Sequence, residues 1–182
     1  MTASLHPAAD WVNRSCGSRH WGRNGAAGLL LLNNTGSWPA GVCHLLLQQR
    51  VGWSDQGGTW GLPGGVIGDG ESASDAAVRE ASEEVGVDPS QVTVVDSFVE
   101  DHGSWRYTTI VGWTTERPLL KVGGETQDAT WAQVGAVDLG SYELHPGFLG
   151  AWRGGLRVLA ERHVDGIWLF RREQLMTVAN AR

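Results

Sequence analysis

Residues 65–87 read GVIGDGESASDAAVREASEEVGV, and this stretch decides the fold. Its second half carries the marks of a helix at both ends. Ser72 and Ser74 are each suited to cap the N-terminus, because a serine oxygen accepts from an orphan N–H of the first turn. Gly86 stands where a left-handed residue closes a helix, so the spacing predicts a helix running to about Val85. On a wheel of about 100° per residue, Glu80, Glu83 and Glu84 fall within about a 100° arc. Ala77, Val78, Ala81 and Val85 take a separate arc that can pack on a sheet. Three carboxylates at i, i+3 and i+4 repel one another. A solvated acidic face with Arg79 and counterions answers that repulsion; so does a hard divalent cation with oxygen ligands. The location favours the cation. The helix follows Trp60-Gly61-Leu62-Pro63-Gly64-Gly65, where Pro63 fixes φ and the glycines read as a tight turn exposing backbone to a ligand.

Outward from this stretch, Ala26 to Leu32 reads as a buried strand bounded by Gly25 and Asn33-Asn34, and Gly36 to Gly41 as a turn. Val42 to Arg50 is the next strand. Gln91 to Glu100 and Trp105 to Thr115 are β-branched and aromatic, and a short Asp-His-Gly-Ser link joins them as in a hairpin. Ala129 to Val134 reads as a short strand and Val137 to Leu139 as a helical turn. Gly147 to about Arg162 has the pattern of an amphipathic helix, weakened at Gly154-Gly155. Ile167 to Phe170 is a candidate last strand. Residues 1–20 lack sustained periodicity and read as an N-terminal arm or loosely packed lead-in. Residues 21–182 form a single domain with a C-terminal helix and tail. The fold class is α/β, a mixed β-sheet between helices.

The chain has 182 residues, 41% hydrophobic and 19% charged, which is the make-up of a globular domain with a real core. A net charge of −6 argues against a nucleic-acid backbone binder, which needs clustered cations. It leaves room for a small phosphate-bearing substrate if a metal ion supplies positive charge. Cys16 and Cys43 stand far apart and form neither a disulfide framework nor a zinc motif. Met1 to Asp10 has no signal-peptide pattern, and the longest apolar run is far short of the roughly 20 residues of a membrane helix. A cytoplasmic protein without membrane contact is the expectation. The ten tryptophans are read mainly as core and sheet packing.

Gly65, Glu71, Arg79, Glu80, Glu83, Glu84 and Gly86, with Ala81 and Val87 as apolar positions, match the pattern G-x5-E-x7-R-E-U-x-E-E-x-G-U at every fixed position. A chance match of this kind is on the order of one in a million or rarer. The stretch resembles the Nudix box, and looser resemblance runs from about Trp21 to Trp152. The resemblance implies a Nudix-like α/β/α sandwich and a Mg²⁺- or Mn²⁺-dependent hydrolase cutting pyrophosphate bonds in nucleoside diphosphate derivatives. It also implies Glu80, Glu83 and Glu84 as metal ligands, with the carbonyl of Gly64 beside them and Arg79 orienting the glutamates. Glu71 has two readings, one at the edge of the metal site and one as a favourable charge at the helix N-terminus. Glu125, just after Gly123-Gly124, has the spacing of a further carboxylate ligand in nucleoside-triphosphate-cleaving members, with Asp128 and Glu116 as competitors. Arg50 has the spacing of an arginine that contacts substrate phosphates. For the proton taken from the attacking water, Glu83 ranks first, then Glu80, then Glu125.

The substrate is less legible. The region after the box lacks the proline of the ADP-ribose class, and Tyr107 lies too far on for the tyrosine of the diadenosine-polyphosphate class. A nucleoside or deoxynucleoside triphosphate, oxidised or not, is the default, giving NMP and pyrophosphate. Trp105, Tyr107 and Phe148 are candidates to stack on its base, and His102 and His145 to touch it. The alternatives are an ADP-ribose or nucleotide-sugar pyrophosphatase, or a nucleotide-sensing domain without turnover. Family members are often homodimers, which is the expectation for assembly.

Overall fold

The structure, a computed structural model, describes residues 11–13, 17, 19–35 and 42–162. The expected turn at 36–41 and the candidate strand at 167–170 lie outside the described residues. The first described segments, β1 (Trp11–Asn13) and β2 (Arg19–Trp21), pair antiparallel. The His20 ring stacks on the Trp105 indole with centroids 4.1 Å apart, so β2 packs against the rest of the domain at this residue.

The main sheet is built on β3 (Ala26–Thr35), β4 (Val42–Arg50) and β8 (Arg106–Trp113). β3 runs parallel to β8 and antiparallel to β4, and β7 (Thr93–Asp101) closes one edge as a hairpin with β8. β9 (Thr126–Gln133) lies along the far side of β4. The sheet is therefore mixed, as expected. β3 does not stop at Asn33-Asn34: the strand continues to Thr35, and the buried Asn33 amide donates to the Thr114 carbonyl at 2.9 Å, so its polarity is met inside the sheet.

The sheet is split, and the split matters most for function. β3 pairs with β4 only over Leu32 to Thr35; over Ala26 to Gly28 the same edge pairs with β6 (Gly64–Val66). β4 in turn leaves β3 and pairs through Gln48 and Gln49 with β5 (Trp60–Gly61). The segment from Trp60 to Val66 is thus a wedge between two diverging strands, with the Pro63 carbonyl accepting from Leu29 N at 2.9 Å. This corrects the sequence expectation of a tight turn with exposed backbone, since much of that backbone is paired with β3 and β4. Gly64 and Gly65 are needed for close packing, not for left-handed backbone: a Cβ on Gly64 would collide with the Ala27 and Gly28 backbone.

Strand alternation puts Leu29, Leu31, Leu46 and Ile110 on one face and Leu30, Leu32, Leu45, Leu47 and Val111 on the other. The first face is covered by α1 (Ala73–Val85), the second by α2 (Val134–Asp138) and α3 (Pro146–Ala151). The result is the α/β/α sandwich. Each fully buried leucine of β3 and β4 stabilises it by about 1.5–3 kcal/mol relative to exposure. The expected helix from Gly147 to Arg162 is interrupted: α3 passes into a wide turn over Trp152–Leu156, with Gly155 at φ 136°, before helix resumes to 162. Only a residue without Cβ adopts that angle readily, so Gly155 is where the regular pattern yields.

Candidate metal and catalytic site

Helix α1 begins and ends as its sequence predicts. Ser72 is the cap, its Oγ accepting from Asp75 N at 3.1 Å, and Gly86 closes the helix at φ 74°. The buried stripe is Ala76, Ala77, Ala81 and Val85; Val78 is only half-buried. Three alanines let the helix lie close on the sheet, which brings its glutamates to the split between β3 and β4.

The three glutamates are not equivalent there. Oε2 of Glu84 accepts from the Gly64 N–H at 2.8 Å and from Gln48 Nε2 at 2.9 Å. The Gln48 Oε1 accepts in turn from the Thr126 hydroxyl at 2.8 Å. Gln48 and Thr126 are only 3% and 6% exposed. Burial pushes the Glu84 carboxyl up to about 8, although the Gly64 and Gln48 donors favour its charged form. Glu80 is raised as well, burial again the largest cause, and its carboxylate fills the space that a side chain on Gly65 would need. The Glu83 side chain is 61% exposed, against 15% for Glu80.

Arg79 ties these acids together. Its Nε and Nη2 donate to the two oxygens of Glu71 at 2.8 and 3.0 Å. Nη1 reaches Glu80 at 2.8 Å and Glu83 at 3.5 Å, and Nη2 also donates to the Val66 carbonyl. The bond to Glu71 is the main cause that raises the guanidinium further above its ordinary value. Neither sequence reading of Glu71 described its contacts: it is the partner of Arg79 and accepts from Gly68 N at 2.8 Å.

As the side chains stand, no three His, Cys, Asp or Glu groups among the described residues are gathered closely enough to hold an ion. Arg79 draws Glu80 and Glu83 aside, so an ion bound by all three acids requires those two to turn away from it. The donor chemistry still suits a hard divalent cation: carboxylate oxygens on one helix, two of them in surroundings that penalise their charge. Oε1 of Glu84 has no hydrogen-bond partner among the described residues.

The other expected residues divide. Gly64 contributes its N–H to Glu84 and pairs with Gly28. The loop before β9 docks on the C-terminal end of α1, with Lys121 N donating to Val85 O and Gly123 N to Glu84 O. Glu125 at its end is exposed, and its carbonyl accepts from the N–H of Val51, the residue that follows β4. Asp128 and Glu116 are exposed. Arg50 closes β4 beside a bulge, its Nε donates to Asp55 O, and its charge is felt by Glu84, Tyr107 and His145. The Tyr107 hydroxyl lies over Gly28, whose missing side chain makes room for it. Burial first, then the Glu84 charge, raises that phenol above its ordinary range.

Trp105 and Phe148 need correction as base-stacking candidates. Trp105 is 7% exposed, one ring face lies against His20, and its indole N–H is bonded to Gly22 O. Phe148 is part of the core under α3. Both rings are taken up by packing. His102 sits beside Trp105 and His20. His145 caps α3 through Nδ1, and burial and Arg50 lower its pKa. Sequence reading missed Gln48 and Thr126; the available signal was a pair of glutamines directly after the apolar run of β4. A cleft of about 340 Å³ lined by Val137, Asp138, Tyr142, Trp152, Arg153 and Arg157 belongs to the other helix layer and contains none of the glutamates.

The NUDIX domain family model matches residues 22–149. The chain is 46% identical over 122 residues to a nucleoside triphosphate pyrophosphatase/Nudix hydrolase fusion protein of Bifidobacterium longum, covering 67% of this chain and 25% of that one. It is 40% identical over 149 residues to putative 8-oxo-dGTP diphosphatase 3 of Mycobacterium tuberculosis, covering 79% of this chain and 66% of that one. The chain thus spans from a quarter to just under two thirds of these relatives. Among solved structures, a Nudix hydrolase from M. smegmatis, RenU, superposes with a TM-score of 0.73 at 37% identity, over 84% of this chain and 95% of that one. The chain belongs to the Nudix hydrolase family. No helix among the described residues is long and apolar enough to cross a membrane.

Proposed function

We propose that the protein is a divalent-metal-dependent pyrophosphohydrolase that converts a purine (deoxy)nucleoside triphosphate, with an oxidised guanine nucleotide as first choice, to NMP and pyrophosphate. The arrangement of Glu80, Glu83 and Glu84 on a helix set into the split sheet carries the chemistry. The 40% identity to a putative 8-oxo-dGTP diphosphatase carries the choice of nucleotide. Glu84, Glu80 and Glu83 would hold Mg²⁺ or Mn²⁺, with the Gly64 main chain and Glu125 at the rim. When bound, such an ion neutralises phosphoryl oxygens and lowers the pKa of a water.

The remaining work falls to this chain's side chains. Glu83, the most exposed of the three acids, accepts the proton of the attacking water. The water oxygen forms a bond to phosphorus as the bond to the bridging oxygen breaks, and pyrophosphate leaves with that bridging oxygen and its electron pair. Arg79 acts through the acids, holding Glu80 and Glu83 on the helix side until the substrate complex forms. Arg50, whose charge reaches the Glu84 and Tyr107 positions, takes up phosphate charge. Tyr107, the candidate left with a place beside the split, lines the nucleoside side.

Product analysis on a panel of 8-oxo-dGTP, dGTP, ADP-ribose and a diadenosine polyphosphate, with Mg²⁺ or Mn²⁺, tests this. NMP plus pyrophosphate from a triphosphate is the expected result. AMP plus ribose phosphate from ADP-ribose as the main turnover would replace the substrate assignment, and binding without turnover of any nucleotide would end the enzyme reading.

A further inference from the structure

We infer that Gln48 is a positioning residue for Glu84, and that the Thr126 hydroxyl sets its orientation. The inference rests on the reading of Glu84 as a metal ligand. Gln48 lies on β4 and Thr126 on the neighbouring β9, both almost wholly buried, so their polar groups must be satisfied inside the protein. A carboxylate that binds a metal can only accept hydrogen bonds, so Gln48 has to present its NH₂ group to Glu84, as it does at 2.9 Å. Its Oε1 then faces the other way and needs a donor. The Thr126 O–H is that donor, at 2.8 Å. The relay runs one way: hydroxyl to amide, amide to carboxylate. Together with the Gly64 N–H at 2.8 Å it places two donors on the same oxygen, Oε2. Oε1 is left without a protein partner among the described residues and is the oxygen available to an ion.

The relay also explains a choice that packing alone does not. A leucine at position 48 would continue the run Leu45, Leu46 and Leu47 and suit a buried strand. The glutamine instead spans the gap between sheet and helix. Because its amide is flat and held at both ends, it fixes the rotation of the Glu84 carboxylate as well as its position. Partners of this kind, one step removed from a metal, alter metal affinity by roughly 10- to 100-fold when lost.

The test is calorimetric titration of the full chain with Mn²⁺ alone, alongside steady-state kinetics over a range of Mn²⁺ concentrations. Gln48→Leu and Thr126→Val should each weaken Mn²⁺ binding roughly tenfold or more. Turnover should fall at low Mn²⁺ and recover at high Mn²⁺, with KM for the nucleotide little changed. Thr126→Ser, which keeps the donor, should restore wild-type binding, a rescue that a purely structural role does not predict. If Gln48→Leu fails to fold, Thr126→Val decides. Wild-type Mn²⁺ affinity in folded Gln48→Leu or Thr126→Val, while Glu84→Gln binds weakly, overturns the relay and leaves the ligand assignment standing. Wild-type affinity in Glu84→Gln removes both.

Discussion

Arg79 grips Glu71 with two parallel hydrogen bonds, at 2.8 and 3.0 Å, across eight residues of chain that include the helix N-terminus. One end of the guanidinium therefore anchors the loop before α1 while the other reaches Glu80 and Glu83. Charge-assisted bonds of this geometry are among the stronger ones a protein makes.

That double role predicts that Arg79→Lys behaves as a loss variant. A lysine ammonium cannot form the paired bonds to Glu71 and at the same time hold Glu80. Both Arg79→Lys and Glu71→Gln should lower stability, by about 1.5–3 kcal/mol for the lost charged hydrogen bonds, and reduce kcat. Denaturant melts and kinetics check this. Wild-type kcat in Glu71→Gln would mean that the loop anchor has no bearing on the acids.

Two glycines of the same motif should fail in different ways. Gly65 has ordinary backbone angles, but a Cβ there meets the Glu80 carboxylate. Gly65→Ala is expected to displace Glu80 and lower turnover with a modest loss of stability. Gly86 is left-handed at φ 74°, and a Cβ would also come within 3.1 Å of Lys121. Gly86→Ala should cost about 1–2 kcal/mol of stability while the folded fraction keeps most of its activity. Thermal melts paired with specific activity distinguish the two outcomes.

The metal-free protein should lose stability as pH rises. Glu84 is held at about 8 when folded, above an ordinary value of 4.5. The folded state therefore binds this proton more tightly than the unfolded state, and the slope of stability against pH is negative between those values. The penalty is absent below the lower value and complete above the upper one. Thermal melts in EDTA from about pH 5 to 9 should show the decline, Glu84→Gln should flatten it, and Mg²⁺ should offset it at high pH by binding only the folded state. An unchanged slope in Glu84→Gln would assign the decline to other groups.

Cys43 should be unreactive. Burial pushes its thiol up to about 12, so almost no thiolate exists near neutral pH. In a Cys16→Ser background, alkylation by iodoacetamide at pH 8 is expected to be slow in the native protein and fast in denaturant. Equal rates in the two conditions would contradict the burial.

Helix α1 and its acids were legible because helix caps and 3.6-residue periodicity are local: Ser72, Gly86 and the spacing of Glu80, Glu83 and Glu84 act within a few turns of chain. The strands β4, β7 and β8 were legible for the same reason, through runs of apolar and β-branched residues. The breakdown at Gly155 could only be suspected, since a glycine permits a left-handed angle without requiring it.

What lay beyond the sequence is the pairing of groups far apart in the chain. Position 71 reads equally well as a helix-end charge or a ligand until Arg79 is seen folded back onto it. Trp105 reads as packing or as a base-stacking ring until His20, from a segment without periodicity, is found against it. The three acids of residues 65–87 share one side of a helix by local geometry alone. Their inequality came from the tertiary structure: Glu84 meets Gly64 at a separation of 20 residues and Gln48 at 36, and Gln48 meets Thr126 at 78. Periodicity carries no information over such distances. Only the divergence of β3 from β4, with the glycine wedge between them, brings those donors onto a single carboxylate oxygen.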